Sequence, residues 1–117
     1  MDLSSQALRS RQCEPCEGGV DPMSQAESEK FLGALHTDWQ LINEGTGLRR
    51  AVAFAGWNRA LSFTNAVAWI ANTEGHHPLI ELSYGRCVIT WTTNAISGLS
   101  INDFVCAAKT DYLLESV

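Results

Sequence analysis

Two hydrophobic rhythms alternate along the chain, and their order predicts its architecture. Ser24-Gln25-Ala26-Glu27 has the spacing of a capping box, and Phe31, Leu32 and Leu35 follow as an apolar stripe, which predicts a helix to about His36. Trp39, Leu41 and Asn43 then alternate with Gln40, Ile42 and Glu44. After Gly45-Thr46-Gly47, the residues Leu48, Arg50, Val52 and Phe54 alternate with Arg49, Ala51 and Ala53. A period of two on both sides of a glycine-bearing turn predicts a β-hairpin, because successive strand side chains face opposite sides of a sheet. From Trp57 to Thr73 the period lengthens, with Trp57, Ala60, Leu61, Thr64, Val67, Ala68 and Ala71 recurring every three or four residues and Phe63, Trp69 and Ile70 widening the stripe. That is a helix whose apolar face is broad enough to be largely buried or shared with a partner subunit. Leu79 to Tyr84 and Cys87 to Thr93 flank Gly85-Arg86 as a second hairpin. Ser100-Ile101-Asn102-Asp103 then opens a last helix carrying Phe104, Ala107, Ala108, Asp111 and Leu114. The order αββαββα predicts an α+β domain, a four-stranded antiparallel sheet with helices packed on one face.

Residues 1–22 lack either period and mix Ser, Gln, Arg, Cys, Gly and Pro, so they read as a flexible N-terminal tail or loosely docked arm, with the domain over residues 23–117. A chain of 117 residues supports one modest core. Thirteen acidic against eight basic residues give a formal charge of -5, and Arg49-Arg50 is the one basic pair of the folded region, which argues against nucleic acid as a direct partner. No apolar run approaches the roughly 20 residues that span a bilayer, and Met1 to Ser10 lacks the apolar centre of a secretion signal, so neither a membrane nor export is expected and the expected compartment is the cytoplasm. Cys87 and Cys106 fall within apolar periodic segments and read as packing. Cys13-Glu14-Pro15-Cys16 is a lone CxxC without the second pair that a tetrahedral zinc site requires.

The chemistry concentrates at His76-His77-Pro78, directly behind the long helix and its Glu74-Gly75 end. Proline stiffens this junction and drives the preceding residue out of helical geometry. Imidazole is the side chain whose ordinary pKa lies near neutrality, so a fixed histidine pair can move protons without a metal. The two histidines are adjacent rather than four apart on a helix, so they are not spaced to grip a single ion.

Several segments together, namely Phe63-Thr64-Asn65-Ala66-Val67, Glu74-Gly75-His76-His77-Pro78, Val88-Ile89-Thr90-Trp91-Thr92-Thr93, Gly98-Leu99-Ser100, Asp103-Phe104 and Ala107-Ala108-Lys109-Thr110-Asp111, resemble the pterin-4a-carbinolamine dehydratase family, in its bacterial form, over about residues 23–115. The resemblance implies a dehydratase that converts 4a-hydroxytetrahydrobiopterin to quinonoid dihydropterin and water. It implies recycling of the cofactor of aromatic amino-acid hydroxylases, with no metal or redox cofactor of its own, and a homodimer or homotetramer, with a hydroxylase as a further partner. It marks His76, His77 and Asp103 as catalytic and Glu74, Thr92, Thr93 and Asn94 as substrate-binding. The family pattern has a third histidine where this chain has Asn94, which can hydrogen-bond a pterin but cannot carry a proton at neutral pH. The alternative expectation is therefore a catalytically impaired pterin-binding or protein-dimerisation module of the same fold.

Overall fold

The computed structural model describes residues 4–15 and 18–115. Its elements are α1 (Ser5–Arg9), α2 (Gln25–Leu32), β1 (Gln40–Ile42), β2 (Gly47–Ala53), α3 (Trp57–Glu74), β3 (Leu79–Ser83), β4 (Arg86–Trp91) and α4 (Ile101–Leu114), with a short 3-10 turn at Asn94–Ile96. The strands form one antiparallel sheet in the order β1-β2-β4-β3, so the two hairpins join through their second strands.

The register explains how the alternating sequence becomes a two-faced sheet. Leu48 lies opposite Trp91, Arg50 opposite Ile89 and Val52 opposite Cys87, while Ile80 and Leu82 of β3 pair with Ile89 and Cys87. These residues share one face, and Phe63, Val67 and Ile70 of α3 and Phe104, Val105 and Ala108 of α4 complete the core with Leu48, Ile89 and Trp91. Burying each large apolar side chain contributes roughly 1.5–3 kcal/mol. The other face of β3 exposes Leu79, Glu81 and Ser83.

Both capping boxes form. The Ser24 hydroxyl accepts from the Glu27 amide and the Glu27 carboxylate accepts from Ser24, and Ser100 and Asp103 repeat the arrangement at α4. The first of these helices ends at Leu32, short of His36, because Gly33 opens a turn in which Ala34 and Leu35 bond back only three residues. The last strand likewise ends at Trp91 rather than Thr93, since Thr92 and Thr93 leave the ladder and Thr93 bridges to Gly98.

For the N-terminal segment, aperiodic composition left a flexible tail or a loosely docked arm, and the described part is docked: α1 packs on α4, capped by Ser4, with Leu8 at 0% exposure. Lys109 Nζ of α4 donates to the Arg9 carbonyl at 2.8 Å. A five-residue helix has too few turns to show a period, and one buried leucine carries its packing.

A buried ion pair joins sheet and helix. Arg50 Nη1 lies 2.6 Å from Asp111 Oδ1, and the same carboxylate accepts from Trp39 Nε1 at 2.7 Å and from the His36 amide at 2.9 Å. A carboxylate satisfied by three groups offsets the desolvation that a buried charge otherwise costs.

Candidate active site

The first requirement is to turn the chain sharply at the end of α3. Gly75 does so in the left-handed conformation, at φ 66° and ψ 30°, and its amide together with that of His76 donates to the Ala71 carbonyl. Glycine adopts this geometry without the Cβ clash that other residues meet, and the cap closes the helix. The chain then passes His76 and His77 along a cleft of about 320 Å³ and enters β3 after Pro78.

His76 is fixed from two directions. Its Nε2 lies 2.6 Å from Asp103 Oδ1, and its ring stacks on Trp91 with centroids 5.7 Å apart and planes 5° from parallel. Asp103, in the first turn of α4, is 0% exposed. Its second oxygen, Oδ2, accepts from the Thr93 hydroxyl at 2.8 Å and from the Ser100 amide at 3.0 Å. The Ser100 hydroxyl lies 2.8 Å from Thr93 Oγ1. With Thr93 donating to the carboxylate, Ser100 donates to Thr93. An ionised Asp103 in this position accepts the Nε2 proton, so the lone pair of His76 resides on Nδ1, which has no partner among the described residues. The carboxylate therefore serves as helix cap and histidine orienter at once, one oxygen for each task.

The remaining expected residues lie on the same cleft, though not on the same hydrogen-bond chain. His77 is exposed on the wall. Thr92 turns its hydroxyl to the Thr46 carbonyl at 2.7 Å, tying the end of β4 to the first hairpin. Asn94 opens the 3-10 turn and is exposed at the rim. Glu74 lines the cleft, but its carboxylate is occupied: Oε1 accepts the Cys13 amide at 2.7 Å and Oε2 lies 3.7 Å from Lys109 Nζ.

What the sequence reading missed is the opposite wall. Cys13, Glu14 and Pro15 run along the cleft. Asn102 holds this strap by both sides of one residue, accepting from the Glu14 amide at 3.0 Å and donating to the Glu14 carbonyl at 2.6 Å. These bonds use main-chain atoms of the strap, which every residue type possesses, so sequence pattern has little to say about them. The Cys13 thiol lies 3.4 Å from that of Cys106 rather than beside a histidine, and Cys16 lies outside the described residues. Among the described residues no group of three or more His, Cys, Asp or Glu side chains is placed to hold a metal ion. Contact with Cys13 and burial push the Cys106 thiol far up, and burial raises Cys87 despite the Thr64 hydroxyl beside it, so both stay neutral and serve as packing.

Comparison with known proteins matches residues 21–113 to the family model described as pterin 4 alpha carbinolamine dehydratase. Two curated relatives carry names that assign them provisionally to pterin-4-alpha-carbinolamine dehydratase. The protein of Nitrosomonas eutropha is 45% identical over 93% of this chain and 95% of its own length. That of Legionella pneumophila strain Corby is 40% identical over 92% of this chain and 95% of its own. Among solved structures, a transcriptional coactivator/pterin dehydratase from Brucella melitensis superposes with a TM-score of 0.74 at 25% identity, covering 80% of this chain and 98% of that one.

Proposed function

The chain belongs to the pterin 4 alpha carbinolamine dehydratase family, and on that premise we propose that it dehydrates 4a-hydroxytetrahydrobiopterin to quinonoid dihydropterin and water, in recycling the cofactor of aromatic amino-acid hydroxylases. The observation that carries this reading is the Thr93–Asp103–His76 array at the wall of an open cleft. Dehydration breaks the bond between C4a and its hydroxyl oxygen and forms a double bond from C4a to the neighbouring ring nitrogen, whose N–H electron pair supplies it. One proton must reach the leaving oxygen and one must leave the nitrogen. His76, with Nε2–H committed to Asp103, takes the ring-nitrogen proton at Nδ1. The imidazolium so formed is stabilised by the buried carboxylate beside it. His77, one residue further along the same wall, delivers the proton to the hydroxyl. Thr92, Thr93, Asn94 and Glu74 border the bound ring, with Asn94 offering an amide where the family pattern has imidazole.

Stopped-flow ultraviolet absorbance of fresh 4a-hydroxytetrahydropterin tests this. Decay should be faster with protein than in buffer, and Asn94→His should raise the catalysed rate further by restoring a third proton carrier. A second reading, a protein-binding module that keeps the fold with little turnover, is favoured by Asn94 and by the coactivator in the Brucella protein's name. Decay at the buffer rate with the parent protein, recovered in Asn94→His, would put that reading first.

Self-association completes the proposal. Trp69 is 68% exposed on α3, Trp57 and Leu61 lie exposed on the same helix, and β3 is a sheet edge. Exposed aromatic surface and an unpaired edge together favour a second copy. Light scattering at micromolar concentration should give the mass of a homodimer or homotetramer, and a monomeric mass rejects the proposal. As to membranes, no described helix is long and apolar enough to cross one.

A further inference from the structure

Three carboxylates border the candidate site, and two are already engaged. Asp103 is bonded to His76, Thr93 and Ser100, and Glu74 to the Cys13 amide and Lys109. Glu14 is the third. It lines the cleft and is exposed, and its carboxylate has no hydrogen bond or ion pair among the described residues. Its backbone, by contrast, is held on both sides by Asn102, which is 5% exposed and immediately precedes Asp103 in the first turn of α4. The same helical turn thus places the backbone of Glu14 and the carboxylate that orients His76. A main chain fixed in advance, carrying a side chain with no internal partner to give up, lowers the cost of recognising a ligand.

The chemistry of that ligand follows from the charge and geometry of a carboxylate. A pterin in its lactam form presents the ring N3–H and the 2-amino group side by side, a planar pair of donors like one edge of a guanidinium. A carboxylate fork accepts such a pair through two parallel hydrogen bonds. A pteridine with oxygen at C2 presents an acceptor there instead, which opposes a carboxylate and leaves one of its oxygens unpaired. Building on the reading of this cleft as a pterin site, we propose that Glu14 is a substrate-recognition residue whose carboxylate accepts the N3–H and 2-amino donors of the pterin, with Asn102 as its positioning residue.

Equilibrium fluorescence titration of the full chain with two stable heterocycles, pterin and lumazine (the 2,4-dioxo pteridine), tests this without turnover. The parent should prefer pterin by about 10–100-fold, the worth of charge-assisted hydrogen bonds. Glu14→Gln and Glu14→Ala, at an exposed position, should bring the two affinities within about 3-fold of each other, mainly by weakening pterin. Asn102→Ala should reduce the preference as well and, unlike the Glu14 variants, speed hydrogen exchange at the Glu14 amide, which loses its acceptor. If Glu14→Ala binds pterin with the parent's affinity and preference, the recognition role is overturned while the pterin reading of the cleft stands. If the parent binds neither heterocycle, that reading and the role of Glu14 both fall.

Discussion

His76→Ala should lower the protein-catalysed rate of 4a-hydroxytetrahydropterin dehydration by about 10²–10⁴-fold, the usual scale for removing a positioned acid or base. The structure supplies a way to separate lost chemistry from lost architecture. His76 is also a packing residue, stacked on Trp91 and bonded to a fully buried carboxylate. Alanine therefore leaves Asp103 Oδ1 without that partner and costs about 1–3 kcal/mol of stability. His76→Gln provides an amide N–H that can reach the carboxylate, yet it cannot take up a proton at neutral pH. Both variants should lose turnover to a similar extent, whereas thermal melting should show the larger loss for alanine. A glutamine variant that turns over at the parent rate would mean that His76 positions the substrate and another group moves the proton.

The second large effect lies at Asp103, and here substitution by asparagine is more informative than deletion. The Ser100 amide and the Thr93 hydroxyl both donate to Oδ2. In Asp103→Asn the amide oxygen must keep that position, which turns the NH₂ toward His76. The ring must then accept at Nε2 and carry its proton on Nδ1, where the proposed mechanism requires a lone pair. Dehydration should fall by about 10²–10⁴-fold through the wrong tautomer alone. Stability should change by about 1 kcal/mol or less, because the helix cap survives. Asp103→Ala breaks the capping box as well and leaves the Ser100 amide and His76 Nε2 without that acceptor, a cost of about 2–4 kcal/mol. Stopped-flow rates and melting curves of the three proteins decide the matter. Parent-like turnover in Asp103→Asn would remove the tautomer argument.

The parts of the fold that were legible in sequence are those where one residue type signals one geometry. Ser24 with Glu27, and Ser100 with Asp103, mark helix starts because their side chains satisfy free amides, and both boxes form. Leu48, Arg50 and Val52 alternate to one face as the period of two requires, although nothing near Arg50 announced that Asp111, 61 residues on, would neutralise it. His76 and Asp103 were readable as candidates, and the structure adds their contact across 27 residues together with the division of labour between the two carboxylate oxygens. Cys13, Glu14 and Pro15 were not readable at all. Their place on the cleft depends on main-chain bonds to Glu74 and Asn102, and main-chain atoms leave no mark in composition or period.

The strap also bears on the order in which the protein is made. Glu14 is bonded to a residue 88 positions later, and Arg9 to one 100 positions later. Synthesis runs from the N-terminus, so the strap is made before the hairpins, α3 and α4, and this part of the cleft waits for a partner in α4. The nascent chain can pair its first hairpin early, but it cannot close the candidate site until α4 has followed.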